Sequence, residues 1–179
     1  LSANNKNLYK RMLKISNHGK NDKKVFYQDE IGLKYKMSTI QCAMGLSQID
    51  KINKLNKKKN KIYEYYKKQL KNLPIKFQVS DKNSTPYYWM PTFYVNSSKF
   101  KRDNFINYLK INNIAVRPIF YMIDKFKPYK AKHSILNSKE SHKISSQGVN
   151  LPSYFNLELK DLDYVIKNVI KYFNTKKIT

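Results

Sequence analysis

The residues best equipped for chemistry are cations placed on a loop and at a proline-fixed turn. The run Ile31-Gly32-Leu33-Lys34-Tyr35-Lys36-Met37 sets a glycine beside two lysines two residues apart. An ammonium is a sound partner for a phosphate dianion, and glycine lets a backbone approach closely. Arg117 is followed by Pro118, which holds it extended. Its guanidinium suits a carboxylate or a phosphate, and a structural ion pair at a strand end would use it as well. Tyr121 can hydrogen-bond a ligand or pack in a core. His18 stands beside Gly19, where it can line a pocket or cap a helix end. His133 and His142 have no partners at metal-ligand spacing. Cys42 is the single cysteine, so no intrachain disulfide can form, and it reads as a small packed apolar residue.

The net charge of the 179 residues is +24, a balance that ordinarily points to nucleic acid or an anionic membrane. Composition argues against that. Lysines outnumber arginines 33 to 3, whereas nucleic-acid readers favour the bidentate fork of arginine. Lysine, asparagine, isoleucine and tyrosine are abundant while glycine and alanine are scarce, a joint skew that AT-rich codons produce without selection for binding. A solvated lysine surface is the expectation, with a basic nucleic-acid-binding module as a rival class. No signal-peptide core or membrane-span length of apolar residues is found, so the expected setting is cytoplasmic, without membrane contact.

These residues need elements to hold them. Leu8, Met12 and Ile15 share a face of a helix over residues 7–15, and Gly19 stops it. Ser38 and Gln41 form a capping box. It starts a long helix, with a bend allowed, that runs to about Lys71, before Pro74. On this helix Ile40, Ala43, Met44, Ser47, Ile52 and Leu55 favour one side, and Lys57-Lys58-Lys59 is placed in solvent. Strands are expected over residues 75–79, 87–95, 114–116 and 149–151, and helices over 103–111 and 139–147. Asn113 is a candidate left-handed cap. Leu162, Val165, Ile166, Val169, Ile170 and Phe173 mark the clearest amphipathic helix. Alternating strands and helices imply an α/β fold with helices on a small sheet.

The segment from Gly32 through Met37 to Gln41, Gly45 and Gln48 resembles Gly-x-(Asn/Lys)-x-(Arg/Asn)-Met-x-x-x-Gln-Ala-Ala-x-Gly-x-x-Gln. That is the signature of the pyridoxal-phosphate sugar aminotransferases of the DegT/DnrJ/EryC/StrS type. Tyr88-Trp89-Met90, Arg117-Pro118-Ile119-Phe120-Tyr121, Pro128-Tyr129 and Gly148-Val149-Asn150-Leu151-Pro152-Ser153 are similar, in order, to segments of the perosamine-synthase branch. Asn17-His18-Gly19 matches an Asn-His-Gly ahead of the basic loop. All four glycines, Gly19, Gly32, Gly45 and Gly148, fall on these motif positions. Met122 and Asp124 stand where the branch has Pro and His, which leaves the nucleotide open.

The resemblance implies the C-terminal portion of a fold-type-I aminotransferase. Residues 1–37 would be the end of the large cofactor-binding domain with the basic loop, 38–73 a long connecting helix, and 74–179 the C-terminal small α/β domain. It implies pyridoxal 5'-phosphate as cofactor and a homodimer whose basic loop reaches the neighbouring subunit's phosphate. Lys34, Lys36 and His18 would be cofactor-binding, and Arg117 and Tyr121 substrate-binding. A keto-deoxysugar nucleotide would receive an amino group from glutamate, in surface-polysaccharide or related sugar biosynthesis. The catalytic lysine would lie upstream of Leu1, so no catalytic residue and no metal ligand is assigned here, and the fragment alone is expected to be inactive. A sugar 3-dehydratase on the same scaffold is the sister alternative.

Overall fold

A computed structural model describes residues 3–24, 26–122, 125–126 and 139–178. It forms two compact units, Leu1–Ile52 and Asn53–Thr179.

In the first unit, α1 (Lys6–Ser16) starts where the Asn5 side chain accepts from the amides of Asn7 and Leu8. It stops where His18 and Gly19 both take a φ of 63°, and the Gly19 amide returns to the Lys14 carbonyl at 2.9 Å. α2 (Thr39–Ile49) opens with the expected capping box: the Ser38 hydroxyl accepts from the Gln41 amide at 3.3 Å, and the Gln41 side chain from the Ser38 amide at 2.8 Å. Yet α2 buries none of its residues, and Cys42 is exposed, not packed. Helical periodicity marks a face fit for burial but does not supply the opposing surface.

In the second unit, α3 (Ile52–Gln69) is separate from α2. The single helix expected from the sequence is interrupted at Asp50 and Lys51, where the Lys51 amide turns to Gln48, three residues back. Four strands follow: β1 (Ile75–Phe77), β2 (Thr92–Val95), β3 (Arg117–Pro118) and β4 (Gly148–Asn150). They form one sheet in the order β1-β2-β4-β3, antiparallel throughout. Interleaved helices are α4 (Arg102–Ile111), α5 (Lys139–Gln147) and α6 (Leu159–Lys176), which gives the expected α/β arrangement.

Two strands are displaced from their expected places. β2 begins only at Thr92, because Pro91 has no N–H for the ladder and the Trp89 amide closes a local turn onto Tyr87. Residues 114–116 form no strand, since the Ile114 amide is used in closing α4 on Leu109. Asn113 there has the left-handed φ of 58° that the sequence suggests. The strand is Arg117–Pro118 instead, and β3 is an edge strand, the position where a sheet tolerates proline.

The core lies between the sheet and α3, α4 and α6. Phe105 is fully buried, and its ring lies 5.0 Å from Tyr172, 5.6 Å from Phe100 and 6.0 Å from Phe93 and Phe173 between centroids. Burial of Leu162, Val165, Ile166, Val169 and Phe173 follows the α6 periodicity. Among the described residues, no helix is long and apolar enough to cross a membrane.

Candidate functional site

The basic loop is laid along the end of α1 by backbone pairing. The Leu33 amide donates to the Ile15 carbonyl at 2.8 Å, the Tyr35 amide to Ser16 at 2.9 Å, and the His18 amide to Leu33 at 3.1 Å. Asn17 and Lys34 form an antiparallel bridge. His18 and Lys34 thus come together on neighbouring backbone segments, with Lys36 two residues further on. All three are exposed. Gly32 is needed for a reason internal to the chain. A β-carbon there would overlap the Gly19 amide nitrogen and stand 2.8 Å from the Ile15 carbonyl oxygen, so its open side is occupied by the α1 turn and not left for a ligand.

Ion pairs brace the loop from the other side. Arg11 binds Glu30, and Lys14 binds Asp29 at 2.6 Å with Glu30 at 3.9 Å. Lys14 and the Asn21 amide hold the Asp29 carboxyl below its usual range, while Asp29 raises Lys14. The acidic residues of the segment are therefore spent on α1. Lys34 and Lys36 make no ion pair or side-chain hydrogen bond with any described residue, and both are exposed on the loop.

In the second unit, Arg117 on β3 lines a cavity of about 520 Å³ with Lys59, Trp89, Asn150, Ser153, Tyr154 and Tyr164 among its walls. Arg117 pairs in register with Asn150. Asn150 is buried, accepts from the Thr92 hydroxyl at 2.6 Å and donates to the Pro118 carbonyl at 3.1 Å, which fixes the strand that carries Arg117. The Arg117 guanidinium has no carboxylate partner among the described residues. Tyr121 lies four residues beyond, 63% exposed, and does not line this cavity. Asp124, Pro128, Tyr129 and His133 lie outside the described residues.

Lys59, expected in solvent with Lys57 and Lys58, is instead partly buried. Its ammonium donates to the Trp89 carbonyl at 3.1 Å, to the Ser153 hydroxyl at 2.9 Å and to the Ser153 carbonyl. Burial lowers its pKa, since a cation is costly away from water. The signal was available: Leu55, Lys59, Ile62 and Tyr66 recur at helical spacing, which puts Lys59 on the inward face. Among the described residues no group of acidic, histidine or cysteine side chains is arranged to hold a metal ion.

Comparison with known proteins accords with this architecture. The profile of the DegT/DnrJ/EryC1/StrS aminotransferase family matches residues 1–170. GDP-perosamine synthase of Escherichia coli O157:H7 is 27% identical over 178 residues, covering 97% of this chain and 47% of that protein. The dTDP-4-amino-4,6-dideoxy-D-glucose transaminase of Shigella dysenteriae is 25% identical, covering 93% and 46%. Among solved structures, Spr1654 of Streptococcus pneumoniae in its PLP form superposes with a TM-score of 0.84 at 18% identity, over 97% of this chain and 45% of that one. Helicobacter pylori PseC, an aminotransferase involved in pseudoaminic acid biosynthesis, gives 0.80 at 22% identity, over 97% and 48%. At these identities the superpositions show the fold. The chain spans about half the length of the curated relatives it matches. With the family profile covering nearly all of its residues, the chain belongs to the DegT/DnrJ/EryC1/StrS aminotransferase family.

Proposed function

We propose that these residues are the C-terminal portion of a pyridoxal-phosphate-dependent aminotransferase that moves an amino group from glutamate to a keto-deoxysugar nucleotide, as part of surface-polysaccharide or related sugar biosynthesis. The relatives' names, which specify GDP- and dTDP-linked amino sugars, support the substrate class. In this reading residues 1–37 end the large domain, 38–73 connect, and 74–179 form the small domain. The working enzyme is a cytoplasmic homodimer with a shared site, and the portion seen here is inactive alone.

The observation that carries the cofactor part is the braced loop with exposed Lys34 and Lys36, which pair with no described residue. Two exposed ammonium groups on a backbone pinned to α1 suit the phosphate of pyridoxal phosphate, so the residues present fit the group. When bound, that cofactor supplies the electron sink for amino transfer. The chain's own part is to bind and orient. Lys34 and Lys36 neutralise the phosphate, with the loop's alignment set by Gly32 and the Asp29 and Glu30 pairs, and His18 borders the same turn. Arg117, fixed by Asn150, holds the donor carboxylate or the substrate diphosphate, and Tyr121 offers its hydroxyl to the sugar.

The test restores the half of the fold that precedes residue 1 in the relatives and compares Lys34→Ala with the parent. Cofactor retention is expected to weaken with the fold intact. Unchanged pyridoxal-phosphate affinity removes the role given to Lys34. The same reconstruction separates amino transfer from 3-dehydration by product.

A further inference from the structure

We infer that Lys59 is the positioning residue of the Arg117 cavity, and that the cavity it shapes receives a ring joined to a phosphate group; this rests on reading the chain as part of a nucleotide-sugar enzyme. The Lys59 ammonium belongs to α3, but its acceptors belong to two other segments. One is the Trp89 carbonyl, ahead of β2, and the others are the carbonyl and hydroxyl of Ser153, after β4. Ser153 in turn donates its hydroxyl to the Trp89 carbonyl at 3.0 Å. A single cation therefore gathers two walls of the cavity. Without it, two carbonyl oxygens and a hydroxyl would face one another with one donor among them, and their mutual repulsion would spread the walls.

The groups thus set are suited to a particular ligand. Trp89, Tyr154 and Tyr164 line the cavity and stay 68%, 57% and 50% exposed, which leaves aromatic surface for the face of a base or sugar ring. Arg117 brings a guanidinium with no carboxylate partner among the described residues to the same space, the residue type for bidentate phosphate recognition. Among the described lining residues the one carboxylate, Asp161, caps α6, where it accepts from the Glu158 amide at 3.0 Å. Lys59 and Arg117 outnumber that carboxylate, so the described lining is net positive, and the cavity volume of about 520 Å³ lies in the range of small-molecule sites.

Trp89 is the only tryptophan, so its emission reports this wall alone. The 179-residue chain is titrated with GDP, dTDP, UDP and, separately, inorganic phosphate. At least one nucleoside diphosphate should quench Trp89 saturably, with phosphate alone at least about tenfold weaker. Lys59→Met should change the emission of the unliganded chain and weaken the nucleotide by about tenfold or more, the scale of one lost charged hydrogen bond. Lys59→Arg should recover part of the affinity. Arg117→Ala should weaken binding while leaving the unliganded emission unchanged, which separates contact from positioning. Ser153→Ala removes one acceptor without touching the helix, and supplies an intermediate loss should Lys59→Met fail to give a native circular dichroism spectrum. Wild-type affinity in folded Lys59→Met, or in Ser153→Ala where the first does not fold, overturns the role of Lys59 and leaves the nucleotide reading standing. No response of the parent chain to any diphosphate overturns the ligand class given to this cavity, whereas the nucleotide-sugar reading stands or falls on the product formed by the reconstructed enzyme.

Discussion

Gly32 is packed against Gly19 so closely that a β-carbon on Gly32 would overlap the Gly19 amide nitrogen, and Gly19 has no room for one either. At Gly19 the obstacle is the Glu30 carbonyl and at Gly32 it is Gly19 itself. The absent side chain of Gly32 makes room for the α1 turn at Gly19, that of Gly19 makes room for Glu30, and the basic loop lies against α1 through these contacts. Gly32→Ala is expected to destabilise the first unit by about 1–3 kcal/mol, the usual cost of overpacking. Amide exchange at Leu33 and Tyr35, which pair with Ile15 and Ser16, should accelerate. Unchanged protection at both amides would show that the loop is held by something else.

The second brace titrates. Lys14 first, then Asn21, lowers the pKa of Asp29, so the folded chain favours the ionised carboxylate. A depressed folded pKa gives stability that is present above the unfolded value of about 3.9 and is lost as pH falls through the folded value. The effect is small because both groups are solvent-exposed. A carboxyl NMR titration should find Asp29 below the ordinary aspartate range in the parent chain and shifted up towards it in Lys14→Met. An Asp29 titration that ignores this substitution would refute the pairing.

What was legible in the sequence follows from how local each signal is. The Ser38–Gln41 capping box, the left-handed Asn113 and the α6 periodicity each depend on residues within a turn or two, and each is present in the structure. The strand limits depend on which hydrogen bonds neighbours take. Ile114 is diverted to close α4 and Pro91 has no donor to give, so β2 and β3 begin later than their apolar runs. Burial depends on what stands opposite. Cys42 and Ile40 have a suitable helix face and remain exposed, whereas Lys59, chemically a surface residue, is drawn in by acceptors 30 and 94 residues away. The basic loop was legible as a motif, but the ion pairs that brace it were not, because Arg11 and Glu30 carry no mutual signal along the chain.

The core makes a sharper stability prediction. Phe105 is fully buried among four aromatic neighbours, and truncating such a ring leaves a cavity that the stiff sheet cannot collapse into. Phe105→Ala should cost about 3–5 kcal/mol, read as a lower urea midpoint with unchanged slope. Ile111→Ala, at the exposed end of the same helix, should stay within about 0.5 kcal/mol. Equal effects would mean that the second unit is not built around Phe105.

Charge supplies a test between classes of function. Lys54, Lys57, Lys58 and Lys61 recur at helical spacing on α3 beside Phe155, and Lys54 lies 5.9 Å from the centre of its ring. Such a stripe favours polyanions at low salt. If it is a solvated surface, retention on duplex DNA should vanish by physiological ionic strength, because few counterions are released on binding. Retention that persists there, with a steep salt slope that drops when these four lysines become alanines, would favour the nucleic-acid module over the enzyme.

Arg117 separates the two anions proposed for it. A guanidinium that grips a carboxylate or diphosphate through two parallel bonds is not replaced by an ammonium, whereas one that contributes only charge is. In the reconstituted enzyme, Arg117→Lys should therefore behave nearly as Arg117→Ala, with the loss confined to one substrate. A rise in KM for the amino donor alone assigns the donor carboxylate, and a rise for the sugar nucleotide alone assigns the diphosphate. The β3–β4 pairing at Asn150 and Val149 is made by backbone atoms, so either substitution should leave the thermal midpoint close to that of the parent. Full activity in Arg117→Ala towards both substrates would remove this residue from the site, and leave the cavity beside it without its phosphate contact.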